Sequence, residues 1–131
     1  MALVGPLLAP APEAGPDCMR CGRPSTEFTT RISNRNGNAG RPYFKCVPCD
    51  KFLVFNDTRG NDPRNPDCYC GCSSKRQVAG RERRVPRGLH YVCRLGECRF
   101  YAPVRGSAGQ QMTLEDVEEE LINLLIRFFA I

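Results

Sequence analysis

The sequence predicts a small, β-rich, metal-stabilised protein: two tandem modules followed by a C-terminal α-helix. Three observations predict it. Nine of the 131 residues are cysteine, and eight of them fall into two sets of two close pairs. Short β-branched and aromatic runs, broken by Gly, Asn and Pro, separate the pairs. The last nineteen residues alone carry a helical period. A chain this short buries too little apolar surface for a large core with a deep pocket. It has no run of 18 apolar residues, so no transmembrane helix and no membrane partner are expected.

Residues 1–17 form a Pro/Ala-rich leader with Pro6, Pro10, Pro12 and Pro16, and are expected to be disordered. The start lacks a basic region, and Gly5, Pro6 and Pro10 break any apolar core, so it does not read as a secretion signal. An intracellular setting follows, and there dense cysteine implies metal rather than disulfides.

Residues 18–57 are the first module. Cys18-x2-Cys21-Gly22 is followed, after 24 residues, by Cys46-x2-Cys49. Residues 68–104 are the second. Cys68-x-Cys70-Gly71 is followed, after 22 residues, by Cys93-x4-Cys98. Two facing turns with two thiolates each satisfy the tetrahedral preference of zinc, which is the ligand pattern of a zinc ribbon. Two structural Zn2+ sites are therefore expected, one on Cys18, Cys21, Cys46 and Cys49 and one on Cys68, Cys70, Cys93 and Cys98. Gly22 and Gly71 supply the positive φ of each knuckle. That equivalence selects Cys68 and Cys70 over Cys72, which becomes the spare sulfur or an alternative ligand. His90, the single histidine, stands three residues before Cys93, where Tyr43 precedes Cys46. It reads as a packing residue rather than a ligand.

Within the first module, Phe28–Ser33, Pro42–Cys46 and Phe52–Phe55 read as strands. Asn34–Gly40 is a hairpin loop. The second module repeats this loosely, with Gln77–Ala79, Leu89–Cys93 and Arg99–Tyr101. Residues 58–67 and 105–112 are turn-rich linkers. Residues 113–131 are an amphipathic acidic helix. Thr113 and Asp116 form its N-terminal cap, and Leu114, Val117, Leu121, Leu124, Phe128 and Ile131 form a heptad seam, as in a short coiled coil. At about 1.5 Å per residue the rod is about 28 Å long. Its stripe suits either packing over a module or pairing with a second copy or a protein partner.

The net charge of +5 hides a partition: +3 over 1–66, +6 over 67–105 and −4 over 106–131. Arg81, Arg83, Arg84 and Arg87 concentrate the positive charge, and arginine suits phosphate contacts. Nine of the eleven aromatics lie in the modules, among them Tyr43, Phe44, Phe52, Phe55, Tyr91, Phe100 and Tyr101. Such rings stack on unpaired bases, though a small core claims many of them, leaving about two exposed per module.

Cys18-x2-Cys21-Gly22, Asn38-Ala-Gly40-Arg41-Pro-Tyr-Phe44-x-Cys46, Cys49 and Phe52 resemble the GRF-type zinc finger, named for its Gly-Arg-Phe signature. Cys68-x-Cys70-Gly71 and Cys93-x4-Cys98-x-Phe100-Tyr101 resemble a second, degenerate copy. The tandem arrangement is similar to GRF-like zinc ribbons of fungal proteins, and the resemblance spans Cys18 to Pro103. It implies a claw-shaped, three-stranded antiparallel sheet on one zinc in each module. It also implies single-stranded DNA binding, as in the finger's appendages on repair nucleases, glycosylases and topoisomerases. Its basic and aromatic contacts map onto Arg41, Tyr43, Phe44 and Lys45, and in the second copy onto Arg87, His90 and Tyr91. The family's Trp after the last ligand is replaced by Phe55 nearby in one module and Pro103 in the other. Two residues, rather than one, separate Cys49 from its aromatic, and the second copy reads Arg87-Gly88.

The function expected is a zinc-dependent nucleic-acid-binding module preferring single strands of DNA or RNA, with a nuclear location. The alternative is a protein-interaction adaptor using the ribbons as a platform and 113–131 for dimer or partner binding. One histidine, no nucleophile constellation and no Gly-rich phosphate loop argue against an enzyme or a small-molecule substrate.

Overall fold

The computed structural model describes residues 8–35 and 37–116. Six strands form two three-stranded antiparallel sheets. The first holds β1 (Thr26–Thr29), β2 (Pro42–Cys46) and β3 (Lys51–Phe55) in that order. The second holds β4 (Lys75–Val78), β5 (Leu89–Val92) and β6 (Tyr101–Pro103). No helix among the described residues is long and apolar enough to cross a membrane.

Each sheet is entered through a cysteine knuckle. An isolated bridge closes each: Asp17 with Pro24, and Asp67 with Ser73. Gly22 and Gly71 lie at φ 77° and 81°, and their amides donate to Cys18 O and Cys68 O. Both turns thus require the left-handed backbone that glycine adopts without a steric penalty. β1 begins at Thr26 rather than Phe28 and ends at Thr29. One step beyond the last strand pair, the Thr30 amide and hydroxyl both donate to Arg41 O, and the chain turns away after it. Ile32, expected within the strand, stands 91% exposed in the loop that follows.

Strand alternation divides β2 into two faces. Phe44 and Cys46 point inward and are buried, together with Val54 of β3. Tyr43 and Lys45 point the other way. Phe52 and Phe55 are three residues apart, so in a regular strand they would face opposite sides. The register, however, pairs Tyr43 with Phe55, Phe44 with Val54 and Lys45 with Phe52, leaving Leu53 as an extra residue. This bulge returns both phenylalanines to the outer face.

The segments expected as a loose leader and linker form the joint between the sheets. Asn61 is fully buried, and Asp62 and Asn65 are 5% exposed. Gly60 accepts from the Arg76 amide at 2.8 Å, and a Cβ on Gly60 would lie 1.9 Å from Arg76 O. The Asn61 amide side chain donates to Ala9 O and Pro10 O, and Arg94 reaches Pro10 O. Gly96 of the second module packs against Pro16 and Val54. Among residues 8–17, expected as part of a loose leader, Ala9, Pro10 and Pro16 thus make defined contacts with the joint. Neither module buries enough apolar surface alone, and the turn-rich segment supplies the polar partners that the joint needs.

At the joint's centre lies Lys75, fully buried on β4. Its Nζ donates to Asp57 O at 2.9 Å, Asp57 Oδ1 at 2.8 Å and Asn61 Oδ1 at 3.2 Å. Asp57 in turn takes a two-pronged pair from Arg41, at 2.6 and 2.9 Å. One carboxylate thus clasps a cation from each module.

Residues 105–112 form a tight return in which Arg105 bridges Gln111, and Met112 O accepts from Leu89 N. Leu114–Asp116 is one 3-10 turn. The expected cap is in place, since Asp116 Oδ2 accepts from the Thr113 amide and hydroxyl. The rest of the expected helix, 117–131, lies outside the described residues, so no C-terminal α-helix is part of the fold described.

Candidate functional site

Two groups of four thiols converge. Cys18, Cys21, Cys46 and Cys49 form one, and Cys68, Cys70, Cys93 and Cys98 the other, with all sulfurs in each group within 4.8 Å of one another. A tetrahedron with Zn–S bonds of about 2.3 Å has sulfur separations of about 3.8 Å, so both groups fit zinc. In each, two cysteines are buried, one is half-buried and one exposed, in the same order along the chain. Cys72 stays outside the second group, and so does His90.

The thiols' acidity reflects this crowding. The Cys21 backbone amide, donating to Cys18, lowers that thiol to about 6. The Cys21 thiol and burial push Cys49 up to about 12. In the second group burial raises Cys70 and Cys68. Burial acts upward on Cys98 as well, but the Phe100 amide and the neighbouring thiols outweigh it and bring it to about 7. Each group thus holds one thiol of lowered pKa beside others that are raised, chiefly through hydrogen bonds among the thiols and through burial, with charge repulsion a lesser cause. A divalent cation at the centre lowers the raised ones. Four thiolates leave no open position, so each site suits a structural rather than a catalytic zinc.

The outer face of the first sheet carries a row of rings. Phe28 and Tyr43 lie 5.9 Å apart between centroids and stacked, Tyr43 and Phe52 5.7 Å apart, and Phe52 and Phe55 4.8 Å apart edge to face. Phe28 and Phe52 are 38% and 41% exposed. Lys45 lies over the Phe28 ring at 6.0 Å and pairs with Asp50, which raises the lysine and lowers the aspartate. A cleft of about 880 Å3 runs from Phe52 and Phe55 to Gln77, Arg83, Arg84, His90 and Tyr101 of the second module. Across it, His90 stacks on Tyr101 at 5.2 Å. By register from the ligand cysteines, His90 takes the place of Tyr43, and Tyr101 that of Phe52.

His90 is buried, and burial lowers its basicity. Its Nδ1 lies 3.2 Å from Gly88 O and its Nε2 3.1 Å from the Gln77 amide nitrogen. A neutral ring protonated at Nδ1 satisfies both contacts.

The residues singled out in the sequence separate into groups. Tyr43 and Lys45 lie on the ring face, and Arg83 and Arg84 line the cleft from an exposed loop that also carries Arg81. Arg41 does not join them. It is 6% exposed, tied to Asp57 and Asn38, and covers the Phe55 ring at 3.7 Å. Phe44 is buried on the opposite face. Tyr91 takes the equivalent place in β5, beside Arg76 rather than the cleft. Arg87 pairs with Glu115 at 3.1 Å. Phe28 was missed as a surface ring, although its cross-strand place opposite Tyr43 follows once the hairpin register is known. Exposed large aromatics number two per module among the described residues: Phe28 and Phe52, then Tyr69 and Tyr101.

Residues 15–59 match the family model described as the GRF-like zinc ribbon domain. The second cysteine group, over 68–98, fits a tandem arrangement of the same kind. Searches of curated proteins and of solved structures return no match.

Proposed function

We propose that this chain, a GRF-like zinc ribbon over 15–59 followed by a second four-cysteine module, binds single-stranded nucleic acid. The observation that carries this reading is the row Phe28–Tyr43–Phe52–Phe55, partly exposed on a rigid sheet and bordered by basic side chains. Exposed rings cost solvation unless they meet a partner, and unpaired bases present flat faces of matching chemistry. Duplex bases are already stacked and offer no such face. Lys45, Arg83 and Arg84 supply phosphate contacts without reading sequence. The zinc ions hold the sheets and take no part in chemistry.

The test is a fluorescence-anisotropy titration of labelled single-stranded and duplex oligonucleotides at several salt concentrations. Tight binding of the single strand is expected, with log K falling against log salt at a slope of about −2 for three phosphate contacts. Equal or tighter binding of the duplex, or binding indifferent to salt, refutes the reading.

A further inference from the structure

We infer that the cleft between the two modules is one composite site: a single strand passes from the ring row of the first module onto the His90–Tyr101 stack of the second. The inference rests on the single-strand reading above and adds where the strand runs and how many strands one chain holds.

Three observations carry it. The cleft, about 880 Å3, is lined from both sides, with Phe52 and Phe55 on one wall and Gln77, His90 and Tyr101 on the other. Phe52 and Phe55 also line a second depression, of about 480 Å3, with Tyr43 and Lys45, so the two hollows meet at those rings. The two walls are equivalent places in the two modules: His90–Tyr101 repeats the Tyr43–Phe52 pair. Equivalent faces that look into one cleft form a continuous surface rather than two separate ones.

The second wall is suited to nucleotides. Tyr101 is 58% exposed and backed by the His90 ring, a platform on which a base stacks. Arg83 and Arg84 stand at the rim on the exposed 81–84 stretch.

The joint makes the two walls act together. The Arg41–Asp57–Lys75 clasp, the Gly60–Arg76 contact and the Gly96–Val54 contact fix their separation before any ligand arrives. A strand held by the first wall therefore meets the second at high effective concentration, without the cost of ordering two mobile modules.

The experiment uses the zinc-loaded full chain with mixed-sequence single strands of about 4 and about 12 nucleotides, lengths within the range that small single-strand-binding domains cover. Anisotropy gives affinity, and titration well above Kd gives stoichiometry. One long strand per chain is expected, bound more tightly than the short one. Phe28→Ala and Tyr101→Ala are each expected to weaken the long strand about tenfold. The double charge reversal Arg83→Glu/Arg84→Glu is expected to do the same, and its exposed positions leave folding intact. Two long strands per chain, or full affinity in both Tyr101→Ala and the double reversal while Phe28→Ala weakens binding, overturns the composite site and leaves the single-strand reading standing. No binding by the unaltered chain overturns both.

Discussion

Replacing Asp57 by alanine tests the joint between the modules. The Asp57 carboxylate accepts from Arg41 at 2.6 and 2.9 Å and from Lys75 at 2.8 Å, and the two cations are 6% and 0% exposed. Without it, Lys75 keeps only the Asp57 carbonyl and Asn61, and Arg41 keeps Asn38. Stranding one buried charge costs about 3–5 kcal/mol, and here two are stranded, so Asp57→Ala belongs at the upper end. Lys75→Met removes the charge instead, and Asp57 retains Arg41, so about 1–2 kcal/mol is expected. Urea unfolding of the zinc-loaded protein at pH 7 measures both. The same pair sets a pH dependence. Burial, opposed by Asp57, brings Lys75 down to about 8 from its ordinary 10.5. The folded protein releases this proton first, so between about pH 8 and 10.5 the unfolded chain binds more protons and stability rises with pH. The rise attributable to Lys75 is at most about 3 kcal/mol, and Lys75→Met should lack it. If Asp57→Ala unfolds within about 1 kcal/mol of the unaltered protein, the joint is not what holds the modules together.

Other expectations follow from the same structure. Cys70→Ser should halve the zinc content measured by atomic emission, whereas Cys72→Ser should leave it unchanged, because Cys72 lies outside the converging thiols. Chelation of the metal should abolish the near-ultraviolet signal of both modules, since thiols crowded within 4.8 Å have no other reason to stay together. Gly60→Ala should cost about 3 kcal/mol or more, because its Cβ would meet Arg76 O at 1.9 Å and φ is 79°. Gly109→Ala, at φ 83° with open space around it, should cost only about 1–2 kcal/mol in the same urea assay. Phe52→Ala should cost about 1–2 kcal/mol of stability, as Phe52 is 41% exposed but packs on Tyr43 and Phe55, and should weaken single-strand binding of the still-folded protein about tenfold or more.

The metal centres were legible because ligand spacing is a local property. Two residues between Cys18 and Cys21, and a glycine after each first pair, fix the turn whatever surrounds it. The strands around Tyr43 and Phe52 were legible for the same reason, from β-branched and aromatic runs between turn residues. What escaped depends on partners distant in the chain. Nothing near Leu53 marks it as a bulge; only the pairing with Phe44 and Lys45 shows the extra residue. Nothing near Lys75 or Arg41 marks either for burial, since lysine and arginine seldom lie fully buried. Their burial needs Asp57, sixteen residues from Arg41 and eighteen from Lys75. Asn61 and Asn65 read as turn formers, which they are, but their side chains also bind the backbone of Ala9, Pro10, Gly60 and Ser74. A segment rich in turns can thus be the best-anchored part of a small protein, where cysteine knuckles leave little apolar core.

Native mass spectrometry of the full chain, mixed with an excess of an oligonucleotide about 12 nucleotides long, tests the central claim most directly, because one spectrum counts metal ions and strands together. The expected species is one chain, two zinc ions and one single strand, with no comparable complex when the oligonucleotide is duplex. A chain without zinc whose mass is lowered by paired cysteines would contradict the metal centres. A two-zinc chain that binds no strand would contradict the function built on them.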